Sequence, residues 1–244
     1  MQKRERSLRT DTPDGQHYKV EHEVMGYDEK THLGGVQVIG HYLVIPIYFK
    51  QYTGIEIRDI DNELKIVKQF RTERKPYCVG IATSNDSMGE FYVLAVVTHN
   101  KGKRVDIYRT PSNLNLSDPG CFFELRWTFN ASSKVEDPKK DWNGYANNIS
   151  LLSDTRGNVY FLGLFNSSAL GIGKKFADLY HMDLKQPEEK IFRRLGRFST
   201  SRSLEVGFRF GGSASVVSQD ALEIYACARN PADKHTIKAN LYSL

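Results

Sequence analysis

Four short apolar runs decide the fold: YLVIPIYF (42–49), FYVLAVVT (91–98), VYFLGLFN (159–166) and LEIYACAR (222–229). The runs superimpose because each has a small or rigid residue at its fifth place, namely Pro46, Ala95, Gly163 and Ala226. Each run is apolar at both alternating sets of positions, which is typical of strands covered on both faces by neighbouring sheets. Helical periodicity is almost absent from the chain. The pattern therefore predicts an all-β protein built from four related units.

Each apolar run forms the second strand of its unit. A strand rich in small residues precedes it in every unit (34–40, 78–84, 147–153 and 211–218). A third strand follows across a polar loop (54–60, 104–110, 178–184 and 236–242), and three units add a fourth strand (64–70, 121–129 and 190–198). The last unit has no fourth strand, whereas HYKVEHEVM (17–25) alternates apolar and polar residues ahead of the first unit. We expect 17–25 to complete the last unit and close a ring.

This arrangement resembles a β-propeller, in which four-stranded blades surround an axis and an N-terminal strand completes the last blade. The resemblance implies a single domain over 17–244, preceded by a flexible segment at 1–16. Four blades are preferred. The intervals between the runs exceed the ~40–50 residues of common blades, so a fifth blade within 111–146 is an alternative. A β-sandwich is the competing fold, although its strands usually alternate on one solvated face.

Composition excludes several other classes of protein. The chain has 244 residues, of which 40% are hydrophobic, with a net charge of +5 at pH 7 and a mean hydropathy of −0.49. No apolar run approaches the ~18 residues of a membrane-spanning helix, so we expect a soluble chain with no membrane span. A monomer is expected as well. Three cysteines form no Cys-x-x-Cys pair and are predicted to be small core residues: Cys78, Cys121 and Cys227.

The sequence leaves localisation open. Its first residues, MQKRERSLRTDTPDG, lack the apolar core of a signal peptide. Asn-x-Ser sequons begin at Asn85, Asn115, Asn130, Asn148 and Asn166, which hints at a secreted protein whose signal lies outside this sequence. Asn and Ser are also abundant in turns, however, and Asn148 opens a predicted strand where a glycan would hardly fit.

The predicted strand order divides the charges between two faces. Loops that join second to third strands, or one blade to the next, lie at one end of the axis, which we name the mouth face. This face carries sixteen Lys or Arg residues against eight acids: Asp28, Glu29, Glu73, Glu136, Asp137, Asp141, Glu205 and Asp233. The opposite face carries eleven acids against three bases, Arg156, Lys185 and Lys190. The basic mouth face predicts attraction of an anionic partner.

Candidate binding residues cluster where the inner strands begin. His32, Tyr145 and Arg209 stand just before three inner strands, and Tyr77 takes the equivalent place in the second blade. Further candidates are Asn147 and Asn148, just inside the mouth, and the basic loop residues Lys103, Arg104, Lys174 and Lys175. Together these groups could bind a polar or anionic ligand by convergent hydrogen bonds. The structural alternative is that they tie down irregular backbone.

Known catalytic signatures are missing. A glycosidase needs two facing carboxylates, whereas the nearest acids, Asp137 and Asp141, share one loop. GSAS (212–215) is not a Gly-x-Ser-x-Gly elbow, and LGIGKK (170–175) is too short for a phosphate-binding loop. The histidines have no metal-binding spacing, so neither a metal nor another cofactor is expected.

The preferred interpretation is therefore a non-catalytic recognition module that uses the basic face and the channel mouth. Its expected partner is an anionic small molecule, an acidic glycan or an acidic protein surface. Nucleic acid is not favoured, because the aromatic residues lie mostly in strands rather than on an exposed stacking platform. The alternative is a propeller hydrolase or lyase that uses His32, Tyr145 and Arg209 on a small anionic or carbohydrate substrate.

Overall fold

The computed structural model describes residues 7–9, 17–19, 32–33, 35–49, 52–98, 104–130, 146–166, 175–187, 191–199, 211–218, 221–229 and 237–243. All regular elements in these ranges are β-strands. Neighbouring strands in each sheet pair in the antiparallel direction. The same ranges contain no helix with the length and apolarity needed to cross a membrane.

The N-terminal strands form a hairpin of their own. β1 (Ser7–Arg9) pairs with β2 (His17–Lys19), which places Leu8 opposite Tyr18. The expectation that 17–25 completes the last blade is therefore not met at 17–19, and 20–25 lies outside the described residues. Strand β1 also falls within the segment predicted to be flexible. The short connection 10–16, with its Pro-Asp-Gly turn sequence, makes local pairing entropically cheaper than joining the two ends of the chain.

Four further antiparallel sheets follow in chain order, each a blade of the predicted propeller. Blade 1 contains β3 (His32–Leu33), β4 (Gln37–Ile39), β5 (Tyr42–Phe49), β6 (Tyr52–Asp59) and β7 (Lys65–Arg71). Blade 2 contains β8 (Pro76–Asp86), β9 (Gly89–Thr98), β10 (Arg104–Arg109) and β11 (Glu124–Asn130). In both blades the strands pair in sequence order outward from the innermost strand.

The remaining two blades repeat this order. Blade 3 contains β12 (Ala146–Ser153), β13 (Val159–Asn166), β14 (Lys175–Met182) and β15 (Phe192–Ser199). Blade 4 contains β16 (Gly211–Ser218), β17 (Ala221–Arg229) and β18 (Ile237–Ser243), and its described part has three strands. The all-β class is confirmed, blades 2 and 3 have four strands each, and every predicted strand of the four units corresponds to an observed one.

The hydrophobic core lies between the blades, as the apolar runs predicted. Blades 1 and 2 share one buried cluster, which includes Val44, Ile57, Ile81 and Leu94. Blades 2 and 3 share the largest cluster, where Phe129 packs against Phe192 with ring centroids 4.5 Å apart. A third cluster joins blade 3 to blade 4 through residues such as Leu164 and Ile224. Each middle blade is thus buried on both faces, which explains why its strands lack clean alternation.

One side chain ties three blades together at the axis. The Gln37 Nε2 amide donates to the carbonyl oxygens of Ile81 at 2.9 Å and Leu151 at 2.7 Å. Its Oε1 accepts the backbone N–H groups of Ile81 at 3.0 Å and Leu151 at 2.9 Å. The inner strands leave these backbone groups on the side that faces the axis. Gln37 therefore provides hydrogen-bond partners for backbone groups of the inner strands that would otherwise need water.

Close approach of the inner strands makes Gly80 sensitive to substitution. A Cβ at this position would lie 2.9 Å from the Leu151 backbone nitrogen and 3.2 Å from Gln37 Oε1. We expect Gly80→Ala to lower the free energy of unfolding by about 1–3 kcal/mol, because β8 and β12 must separate. Urea denaturation followed by tryptophan fluorescence would measure the change.

Gly120→Ala is the matched control, since the nearest atom to its added Cβ is Leu114 Cδ1 at 3.8 Å. This control should stay within about 0.5 kcal/mol of the wild type. Equal stabilities of the two variants would contradict the tight contact between the inner strands.

Candidate active site

The mouth of the axis is formed where the inner strands of blades 1, 2 and 3 begin. Gly35, which lies between β3 and β4, forms a parallel bridge with Cys78 of β8. The Val79 N–H donates to the Gly35 carbonyl at 3.0 Å. A Cβ on Gly35 would collide with the Asn148 side-chain oxygen and lie 3.0 Å from Cys78 Cβ. Gly35 therefore allows three inner strands to converge at one point.

Three of the predicted binding residues can be located with their side chains, namely Asn148, Tyr77 and Arg104. Asn148 is only 3% exposed and packs against Gly35, so it lies beneath the mouth rather than on its rim. Its burial also means that this sequon cannot carry a glycan in the folded protein. Tyr77 is 48% exposed, immediately before Cys78 on β8. A ligand at the mouth face could reach the Tyr77 phenol directly.

The other predicted residues are described only by backbone or not at all. His32 lies in β3 opposite Tyr48, and Asn147 and Lys175 lie in β12 and β14. Four candidates fall outside the described residues, namely Lys103, Tyr145, Lys174 and Arg209. Their roles at the mouth stay predictions.

Arg104 differs from its expected role as an exposed rim cation. Its side chain is 20% exposed, and its Nε donates to Asp106 Oδ1 at 2.7 Å. Its Nη2 also donates to the Thr128 hydroxyl at 2.8 Å, and that hydroxyl donates in turn to Asp106 at 2.9 Å. The partly buried guanidinium thus neutralises a buried carboxylate instead of facing an anionic ligand.

Lys75 and Tyr48 form a contact at the mouth that sequence reasoning did not single out. The Lys75 ammonium contacts the Tyr48 hydroxyl and lies 4.1 Å from the centroid of its ring. Lys75 precedes Pro76, so it stands on the same strand entry as Tyr77. The sequence marked Lys75 only as one of many surface charges, and Tyr48 belongs to an apolar run. Their pairing across blades 1 and 2 depends on the sheet arrangement.

The cysteine beside the mouth is not poised as a nucleophile. Cys78 is fully buried, and burial raises the pKa of its thiol despite a hydrogen bond to the Ile149 backbone. Cys121 is also buried and free, and burial raises its pKa as well. A protonated, inaccessible thiol is unreactive. The prediction that these two cysteines are core residues is confirmed, whereas the side chain of Cys227 lies outside the described residues.

The buried carboxylates of the third strands serve the fold rather than the site. Glu56 accepts from the Arg58 guanidinium at 2.7 and 2.9 Å, and Asp106 is paired with Arg104 as above. In blade 3, Asp178 accepts from Arg194 at 2.9 Å and from two nitrogens of Arg197 at 2.7 and 2.6 Å. Each of the three carboxylates is thus engaged by arginine donors of its own blade.

An apolar cavity of about 510 Å³ lies along the axis. Its walls come from the four inner strands and comprise Val36, Gln37, Val38, Ile39, Ile81, Ala82, Leu151, Leu152, Ser153, Ala214 and Val216. No acid or base among the residues that the structure describes lines this cavity. Among the described residues, no group of three or more His, Cys, Asp or Glu side chains is placed to hold a metal ion.

No protein-family model and no curated protein match the chain. Solved structures do resemble it. A glycoside hydrolase family 43 arabinoxylan arabinofuranohydrolase from Bacillus subtilis, solved with cellotetraose, has a TM-score of 0.51 and 10% identity. That match covers 87% of this chain and 50% of the hydrolase, so this chain spans about half of its length. A thermostable family-43 glycoside hydrolase has a TM-score of 0.47 and 11% identity over 90% of this chain and 70% of that one.

Hydrolases of this family have a five-bladed β-propeller fold, and the present chain is a β-propeller as well. The match does not determine its number of blades. The interpretation of the chain as a non-catalytic recognition module is wrong, because a solved protein that the chain resembles is a glycoside hydrolase.

Proposed function

We propose that this protein is a propeller hydrolase that cleaves glycosidic bonds at its mouth face. The observation that carries the proposal is the match of 87% of the chain to a solved glycoside hydrolase. Glycans containing arabinose or xylose are the first substrates to test, since the solved enzyme is an arabinoxylan arabinofuranohydrolase. The exposed Tyr77 phenol and the Lys75 ammonium would contact the sugar hydroxyls.

The required carboxyl pair would come from the loops of the mouth face. Glycoside hydrolysis uses one carboxylic acid to protonate the leaving oxygen and one carboxylate as base or nucleophile. The predicted strand order assigns the eight acids of this face to loops of different blades, so the pair need not come from one loop. Of these acids, Glu73 lies within the described residues. This removes the objection that Asp137 and Asp141 share a loop. The ion-paired Glu56, Asp106 and Asp178 are excluded.

A scan of these eight acids tests the proposal. Each Asp would be changed to Asn and each Glu to Gln, and turnover would be measured on aryl arabinofuranosides, aryl xylosides and arabinoxylan. We expect two of the variants to lose activity by about a hundredfold or more, because each removes an acid or a base from the reaction. Circular dichroism melting would establish that these variants remain folded.

Asp61→Asn and Glu90→Gln are matched controls, because both acids are exposed at the opposite face, Asp61 in the turn after β6 and Glu90 at the start of β9. These controls should keep wild-type turnover. The proposal is overturned if none of the glycosides is cleaved, or if no single acid of the mouth face affects cleavage.

A further inference from the structure

A second cavity, of about 300 Å³, lies between blades 2 and 3 on the opposite face from the mouth. Three turns surround it: the turn after β8, the turn between β12 and β13, and the turn between β14 and β15. Its charged lining residues are Asp86, Arg109, Arg156, Asp183 and Lys185, together with His181. We call this cavity the inter-blade pocket. Its size suits a small molecule.

Contacts of Arg109 fix the wall of the inter-blade pocket on blade 2. The Arg109 guanidinium donates to Asp86 at 2.5 Å and lies 3.7 Å above the ring of the buried Phe91. The two blades are also joined directly, because the Ser84 hydroxyl donates to the Gly157 carbonyl at 2.7 Å. Gly157 has a φ of +78°, and a Cβ there would lie 2.5 Å from Asn85 Oδ1. The pocket is therefore preorganised rather than a gap between loose turns.

The carboxylates at the pocket are already satisfied. Asp86 accepts from Arg109 and from the Met88 N–H at 2.8 Å, and the hydrogen bond from Arg109 lowers the pKa of Asp86. Asp183 accepts from the Lys185 N–H at 3.1 Å and from Gln186 at 3.3 Å within its own turn. These contacts leave little capacity to receive a further donor.

Two cations at the pocket remain available. The Arg156 side chain is 82% exposed and lies 3.7 Å from Asp154, at the outer limit of an ion pair. Within the described part of the chain, the Lys185 ammonium has no ion-pair partner. Arg156 and Lys185 are also two of only three basic residues that the strand order assigns to this acidic face. The pocket is therefore lined by three bases and two acids, on a face where the predicted loop charges are mostly acidic.

We propose that the inter-blade pocket binds a small molecule through a carboxylate, sulfate or phosphate group, with Arg156 and Lys185 as its ligating cations. The fixed Arg109 guanidinium supplies a third positive wall. Oxyanions form strong charge-assisted hydrogen bonds with such groups. The site lies on the face opposite the mouth, so it is separate from the proposed hydrolytic centre and does not depend on it.

Calorimetric titration with inorganic phosphate, sulfate and glucuronate at low ionic strength tests this site. We expect one-site binding of at least one probe by the wild type, weakened about tenfold or more in the double variant Arg156→Gln, Lys185→Gln. The matched control is Lys65→Gln, which removes an exposed charge near the same face but away from the pocket. It should bind within about twofold of the wild type.

The relative affinities identify the ligand class. Preference for phosphate or sulfate indicates an ester of that acid, and preference for glucuronate indicates a carboxylated sugar. The proposal is overturned if none of the three probes binds saturably. It is equally overturned if the double variant binds as tightly as the wild type, or if the Lys65 variant loses as much affinity as the double variant.

Discussion

Replacing Gln37 by leucine is expected to lower the free energy of unfolding by about 3–6 kcal/mol, because backbone groups of two blades lose their partner at once. The amide joins β4 to β8 and β12 through four hydrogen bonds of 2.7–3.0 Å. Leucine has a similar volume, so the change tests the hydrogen bonds rather than the packing. The N–H and C=O groups of Ile81 and Leu151 then lose their hydrogen bonds to Gln37, which accounts for the loss of stability.

Chemical denaturation with both fluorescence and circular dichroism would measure this loss. Gln186→Leu is the matched control, since Gln186 is exposed and its one side-chain bond, to Asp183, is 3.3 Å long. The control should change stability by less than about 0.5 kcal/mol. If both variants unfold at the same denaturant concentration, Gln37 does not hold the blades together.

Asp178→Asn is expected to lower the free energy of unfolding by about 3–5 kcal/mol, because it removes the carboxylate charge from a buried ion pair. Asp178 is fully buried, and the side chain of its partner Arg194 is only 6% exposed. Hydrogen bonding to Asp178 raises the pKa of Arg197, which also stacks 3.9 Å above the Phe176 ring. The neutral amide keeps the shape of the carboxylate, removes its charge and replaces one accepting oxygen with a donating NH2 group.

Glu124→Gln is the comparison for this variant, because Glu124 and Arg126 form an exposed pair with 51% and 49% of their side chains accessible. A surface pair of this kind contributes less than about 1 kcal/mol. Thermal melting of the two variants side by side would separate them by many degrees. A melting temperature for Asp178→Asn close to that of Glu124→Gln would mean that the blade 3 cluster adds nothing to stability.

The strands were predictable from the sequence because their signal is local. The second strand of blade 1 was predicted at 42–49 and observed at Tyr42–Phe49, and the innermost strand of blade 4 was predicted at 211–218 and observed at Gly211–Ser218. Strands buried on both faces must be apolar at consecutive positions, so a short window of sequence is enough to find them. The small residues of the inner strands likewise follow from crowding around the axis, as Gly80 illustrates.

The candidate sites were less predictable because they depend on which elements meet. Arg104 appeared in the sequence as a free loop cation, but Asp106 and Thr128 enclose it. Gln37 carried no sequence signal at all, although it joins segments 44 and 114 residues away. The proposal of a glycoside hydrolase rests on the similarity of the fold to a solved glycoside hydrolase, and no motif in the chain pointed to it.

The sequence alone therefore determined the all-β class, the order of the strands and the residues of the inter-blade core, since periodicity and side-chain size act within each strand. Only the tertiary structure decided that β2 pairs with β1, that Gln37 spans the axis and that Arg156 and Lys185 meet at one pocket. The local sequence would allow each of these groups to contact other partners of the same chemical type. Which contacts form depends on loop-closure entropy and on which buried polar groups remain unpaired, and both are properties of the assembled blades.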